Sequence, residues 1–280
     1  MNQSKVSIFD FSGIYDHEGF YREFESPRFI CLKNLPGTNC LCDDLAVEAI
    51  KKAVLAGDHD IEVAADGECL GDNGADADKN PGLPEKGIRF FDSGNYHYMS
   101  KILADFQDRP FNLIVYDHHP DMQPTSFGNI LSCGSWVMDL LDTNKFIQKV
   151  VIIGAAEHLI REVDPSYLDR VTFLTHKEAY EALDQDRGFA DWDAATPVYL
   201  SIDKDVLDVA EITTNWDQGD MSVKDLYKQI DMIYNAYCVV ATDVCGECAV
   251  DQEDCDVAQA AAVSSDINAG IYEIWRRYNK

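Results

Sequence analysis

The stretch NLIVYDHHPDMQ, Asn112 to Gln123, starts as a strand suited only to an interior and ends in a crowd of charge. Leu113 to Tyr116 form a β-rich apolar run without alternation, the pattern of a strand covered on both faces, as in a parallel sheet flanked by helices. A carboxylate placed beyond the end of such a strand needs a partner. An unpaired buried charge costs more than a domain's spare stability, so it is paired, hydrogen-bonded or metal-bound. Asp117, His119 and Asp121 follow at i, i+2 and i+4. An extended chain would turn all three to one side and His118 to the other. Two carboxylates and an imidazole on one edge suit a divalent cation, although a polar loop after a strand has the same look.

The design recurs in PVYLSIDKDVLD, Pro197 to Asp208, where a second buried strand delivers Asp203 and Asp205. In open α/β sheets ligands bind at the carboxyl ends of the strands. A third segment, IRFFDSGNYHYMSKIL, Ile88 to Leu103, reads as strand, Gly-containing turn and helix, with His97 at the junction. His97 is either a structural turn residue or a second imidazole for the same site.

Between and around these segments the chain alternates strands and helices. Strands are predicted at VSIFDF, FICL, IRFF, LIVY, VVIIGA, VTFL, VYLSI and VVATDV. Helices are predicted over Asp43 to Ala56, Ser135 to Leu141, Lys177 to Leu183, Val223 to Tyr234 and Ile267 to Tyr278. About eight strands alternating with helices predict a mainly parallel sheet covered on both faces. With no Ser/Gly/Pro linker between independently patterned halves, residues 1–280 read as one domain, with an acidic loop insertion at about 58–86.

His97, then Asp-x-His-x-Asp at 117, 119 and 121, then Ser-x-Asp-x-Asp at 201, 203 and 205 resemble the ureohydrolases, the arginase, agmatinase and formimidoylglutamase group. The resemblance runs from about Ile88 to the C-terminus and, more weakly, over KVSIFDFSG. It implies a single three-layer α/β/α domain and two divalent metal ions, most often Mn²⁺. By that resemblance His97 and Asp121 would bind one ion, His119 and Asp205 the other, and Asp117 and Asp203 would bridge them. It further implies hydrolysis of a C–N bond in a guanidino or amidine compound, with a small cationic guanidino or amine substrate, and leaves a homo-oligomer open.

The substrate side departs from the family. Where a His commonly follows the metal loop, GNILSCGSW offers Cys133, the candidate for the missing proton carrier. The family's guanidinium-binding Glu would align with Gly246 in TDVCGECA, and Glu247 comes one residue late; a bulged turn would bring it into place. Asp217 and Asp220, in the loop after Asp205, are the reserve partners for a cation. These departures make arginine itself an improbable substrate and keep two alternatives open. One is a metal-dependent deacetylase of an acylated amine, with Tyr98 as oxyanion donor; the other is a non-catalytic metal-binding homologue.

Fifty acidic against 23 basic residues, a formal charge of −27, argue against a nucleic-acid partner. MNQSKVSIFD has no signal-peptide pattern and no apolar run reaches membrane-spanning length, which predicts a cytoplasmic protein with no membrane partner. Nine cysteines in that setting predict reduced thiols. Cys245 and Cys248 form a CxxC, but the spacing of Cys40 and Cys42 suits a zinc site poorly, and no zinc is expected there. The acidic GDNGADADKN misses the spacing of a calcium loop.

Overall fold

The computed structural model describes residues 5–56, 60–70, 86–125, 128, 130–185, 188, 189, 192, 193 and 195–280. In chain order the elements are β1 (Val6–Asp10), β2 (Arg28–Cys31), β3 (Leu41–Cys42), α1 (Asp44–Leu55), β4 (Ile61–Val63) and β5 (Cys69–Leu70). Then come β6 (Gly87–Phe90), α2 (Met99–Ala104), β7 (Phe111–Tyr116), β8 (Leu131–Ser132), α3 (Trp136–Thr143), β9 (Ile147–Ile153) and α4 (Glu157–Ile160). The chain finishes with β10 (Val171–Leu174), α5 (His176–Asp184), β11 (Val198–Asp203), α6 (Val223–Ala236), β12 (Val239–Cys245) and α7 (Val257–Tyr278).

Ten strands form one sheet in the order β10-β9-β7-β11-β12-β6-β1-β2-β4-β5. Every neighbouring pair is parallel except the β4–β5 edge. The continuous apolar run of β7 has its expected cause. Leu113 and Val115 face one core with Ile50, Ile102, Trp136 and Leu140 of the helices α1 to α3. Ile114 and Tyr116 face the other, with Ile230 and Ile233 of α6 and Ile271 of α7. Each such side chain contributes roughly 1.5–3 kcal/mol by leaving water, so the central strands, buried along their whole length, are the most firmly held part of the molecule.

Local signals agree with this packing. In α6, Leu226, Ile230 and Ile233 recur at helical spacing, and the Ser222 side chain accepts from the Asp225 N–H to cap the first turn. Thr175 and Glu178 cap α5 reciprocally. The last helix starts at Val257, ten residues before its predicted start, because Asp256 caps it and Ala260, Ala261 and Ser264 pack inward despite their weak apolar signal. Within the segment expected to be an acidic loop, the described residues 61–70 form the antiparallel edge pair β4–β5, and all of GDNGADADKN, within 71–85, lies outside the described residues. Among the described residues no helix is long and apolar enough to cross a membrane.

β7, β11, β12 and β6 are consecutive neighbours in the sheet. Their carboxyl ends therefore lie side by side, and segments separated by more than a hundred residues in sequence meet at one edge.

Candidate metal centre

Among the described residues three sets of ligand atoms each lie within 4.8 Å of one another: His97/Asp117/Asp121 and Asp117/His119/Asp205, which share Asp117, and His97/Asp203/Cys245. His97 Nδ1 is 3.0 Å from Asp117 Oδ2, 3.0 Å from Asp121 Oδ2 and 3.4 Å from Asp203 Oδ2. His119 Nδ1 is 2.9 Å from Asp205 Oδ2 and 3.4 Å from Asp117 Oδ1. All six sequence-selected residues thus line one cavity of about 110 Å³, room for several waters at about 10–15 Å³ each or for one small planar head group.

The route to this convergence is not the extended strand expected from the i, i+2, i+4 spacing. β7 ends at Tyr116, the chain bends, and Asp121 takes the left-handed conformation at φ 50°, which Asp tolerates better than most residues. The three side chains still reach the cavity, and His118 lines a separate depression on the far side. After β11, the Asp203 carboxylate accepts the Asp205 N–H at 3.0 Å, and this tight turn aims both carboxylates the same way.

The geometry of the imidazoles suits metal ligation. His97 presents Nδ1 to the carboxylates while Nε2 meets Ser201 Oγ at 3.0 Å. Ser201 contacts Ser100 Oγ at 3.0 Å, and Ser100 donates to Asp243 at 3.1 Å. Such outer contacts fix ring orientation. Trp136 Nε1 donates to Asp121 Oδ2 at 2.6 Å, and the Cys245 thiol donates to Asp203 Oδ2 at 3.2 Å.

The electrostatics ask for a cation. Burial, with the charge of Asp205 and Asp117 beside it, pushes Asp203 up to about 7; burial and the charge of Asp117 push Asp205 up to about 6. Burial disfavours charge on His97, but its hydrogen bonds to Asp117 and Asp121 outweigh that and hold its pKa well above the usual value. Four carboxylates and two imidazoles, oxygen-rich and buried, fit one or two divalent ions by their chemistry.

The arginase family model matches residues 94–265, which span the whole ligand set. The chain belongs to the arginase family. An uncharacterised protein of Thermotoga maritima is 31% identical over 167 residues, and the match spans 58% of each chain. Proclavaminate amidino hydrolase from Streptomyces clavuligerus superposes with a TM-score of 0.62 at 16% identity, over 99% of this chain and 93% of that one. Agmatine ureohydrolase of Thermoplasma volcanium gives 0.58 at 14% identity over the same shares. At those identities the likeness is one of fold, the three-layer α/β/α arrangement built on a mainly parallel sheet.

The arginase-family cavity is completed by residues that sequence reasoning did not select. Trp216, Leu159, Pro120 and Gln123 form its outer wall together with Cys133. The Trp216 ring stands edge-on to His119 at 5.8 Å, and its Nε1 donates to Asn95 Oδ1 at 2.9 Å. ITTNWDQGDMS carries no period or motif that singles out Trp216; only the fold brings it to the site.

Two substrate-side expectations meet a different geometry. Glu247 is fully buried and away from the cavity lining. It accepts from Lys204 Nζ at 2.5 Å, from Asn268 at 2.9 Å and from Ser264. Burial alone would raise its pKa, but Lys204 and these donors outweigh it and hold the carboxyl below its usual range. Nor can the preceding position hold a carboxylate facing the cavity. Gly246 sits at φ 91°, and a Cβ there would lie 2.4 Å from Asp203 Oδ1 and 2.6 Å from Lys204 N. Tyr98, the oxyanion donor of the deacetylase alternative, is fully buried and donates to the Thr38 carbonyl at 2.6 Å. Cys245 and Cys248 are also buried rather than near a surface. Of the reserve partners, Asp217 is exposed and Asp220 lies 3.4 Å from His176, at the far depression.

Proposed function

We propose that this chain is a dinuclear, manganese-dependent hydrolase that cleaves a C–N bond of a compact guanidino or amidine compound other than arginine. The observation that carries the reading is the pair of ligand groups joined through Asp117. His97 and Asp121 would hold one ion and His119 and Asp205 the other, with Asp117 and Asp203 between them; oxygen-rich ligation with one imidazole per ion favours Mn²⁺. Divalent ions there would supply a hydroxide nucleophile at neutral pH and positive charge facing the electrophilic carbon.

The chain's own residues do the rest. Ser201 and Trp136 orient His97 and Asp121, while Trp216 and Leu159 cover the cavity and limit water. Hydrogen bonding to Cys40 and burial push the Cys133 thiol well up, so it keeps a proton at the cavity wall. A thiol held that high gives up its proton poorly at neutral pH, which counts against Cys133 as the proton carrier for the leaving amine. Among the described lining residues the only carboxylates are the four ligand aspartates. A substrate with a charged α-ammonium tail would lose hydration there without gaining a partner, which supports a small or weakly charged substrate over arginine.

The test is a panel of guanidino acids, agmatine-like amines, formimino compounds and acetylated polyamines, assayed with manganese. Turnover of an amidine or guanidino compound is expected. Turnover confined to acetylated amines would establish the deacetylase reading, against which the burial of Tyr98 already counts. Two bound metal ions and no turnover of any compound would leave a metal-binding homologue without catalysis, the reading that the engaged Glu247 favours.

A further inference from the structure

β3 and β8 form a separate antiparallel ribbon in the register Leu41↔Ser132 and Cys42↔Leu131. Just before β3, Cys40 takes the left-handed conformation at φ 59°, and the Cys133 N–H donates to its carbonyl at 2.9 Å. Residues joined by such a cross-strand bond have Cα atoms roughly 5.5 Å apart, inside the window of about 4.4–6.8 Å that a disulfide needs. Each thiol's ionisation is shifted chiefly by the other, which sets the two side chains beside each other. Both residues are partly exposed, and Cys133 lines the metal-ligand cavity. We propose that Cys40 and Cys133 are a redox pair that a peroxide closes into a disulfide at the mouth of that cavity.

The asymmetry of the pair assigns the roles. Pairing with Cys133 lowers the Cys40 pKa to about 7, which makes Cys40 the attacking thiol of the two. The Cys40 thiolate attacks one peroxide oxygen and the O–O bond breaks. Cys40 becomes a sulfenic acid, and the departing hydroxide takes up a proton as water. The Cys133 sulfur then attacks the Cys40 sulfur; the S–S bond forms, the S–O bond breaks, and the Cys133 proton leaves in a second water. Two thiols thus lose two electrons and two protons, and one peroxide becomes two waters. The other neighbouring thiols, Cys248 and Cys255, are less suited, because burial pushes Cys248 up to about 12.

Closing the bond removes the Cys133 proton from the cavity wall and ties the 37–42 segment to the loop that carries it. Only this effect on turnover rests on the hydrolase reading; the crosslink does not. The experiment treats the metal-loaded full chain with hydrogen peroxide, blocks free thiols, and maps peptides without reduction. A peptide joining Cys40 to Cys133 is expected, lost in Cys40→Ser and Cys133→Ser and reopened by dithiothreitol. The mapping on the unaltered chain needs neither variant to fold and neither substrate to be known. A bridge between Cys248 and Cys255 in its place, or a sulfinic acid at Cys40 with Cys133 still free, would overturn the pair. On whichever amidine the chain hydrolyses, the bridged form should lose turnover and regain it with dithiothreitol; unchanged turnover with the bridge in place would overturn its control of the cavity.

Discussion

Asp203-Lys204-Asp205 sends charge to two sides of one turn, and the two sides solve the problem of buried carboxylates in opposite ways. On the inner side Lys204 is completely buried, its ammonium held by Glu247 at 2.5 Å, Ser264 at 2.6 Å and Asn268 at 2.9 Å. Glu18 lies against this group, and burial together with the charge of Glu247 pushes its pKa well up, so that it stays uncharged. The cluster is closed: one cation, one anion, the other carboxyl neutral. On the outer side Asp203 and Asp205 join Asp117 and Asp121 around two imidazoles, with no lysine or arginine among the described lining residues. That cluster is open and calls for a cation from outside. A buried acid with its own cation is structure; a set of acids without one is a site.

The contrast breaks most forcefully at Lys204. Lys204→Met should destabilise the fold by about 3–5 kcal/mol, the usual cost of stranding one partner of a buried pair, read as a shift in the denaturant midpoint. Adding Glu247→Gln should recover most of that loss. A silent Lys204→Met would mean that the inner cluster is not closed in the way described. Glu247→Gln alone should likewise change stability more than the KM for any substrate.

On the outer side, Asp203→Asn should remove more than one of two bound manganese equivalents, measured after loading and desalting, while making the chelated protein more stable by relieving repulsion. Loss of one equivalent or less would show that Asp203 serves a single ion. Trp136→Phe removes the indole N–H on Asp121 together with part of a fully buried ring, and should weaken metal binding by roughly 10–100-fold, with the denaturant midpoint measured alongside to separate lost packing from the lost hydrogen bond. The pH dependence sharpens the same point. Asp203 and Asp205 sit at about 7 and about 6 when no ion neutralises them. Because these pKa values are raised on folding, the chelated protein is most stable below about pH 4 with respect to these two groups, and their contribution is lost as pH rises through 6 to 7. Manganese should reverse that slope; parallel pH profiles with and without metal would sink the idea that the carboxylates are what the metal satisfies. The smallest effect is expected for Asp217→Asn, an exposed change within about 0.5 kcal/mol that leaves metal content unaltered.

Much of the site was legible in the chain because its chemistry is local. Buried strands that run into acid, as at Tyr116–Asp117 and Ile202–Asp203, state that something must compensate the charge, and the order of His and Asp types carried the family. The central strands and the spans of α5 and α6 were legible for the same reason: apolar runs and helical period act within a few residues. What no local signal carries is adjacency. That β7, β11, β12 and β6 are neighbours, so that His97, Asp117 and Asp203 meet, is decided by how helices on two faces pack against a twisted sheet. So are the wall that Trp216 and Leu159 bring from sequence-distant segments and the approach of Cys40 to Cys133. Glu247 shows the limit most clearly. Its type and position suited a substrate-binding carboxylate, but Gly246 at positive φ turns the chain under Asp203, and Glu247 pairs with Lys204. Sequence supplied the charges; three-dimensional packing decided which of them face each other and which face the cavity, because burial, not residue type, sets whether a carboxylate must find its cation within the fold.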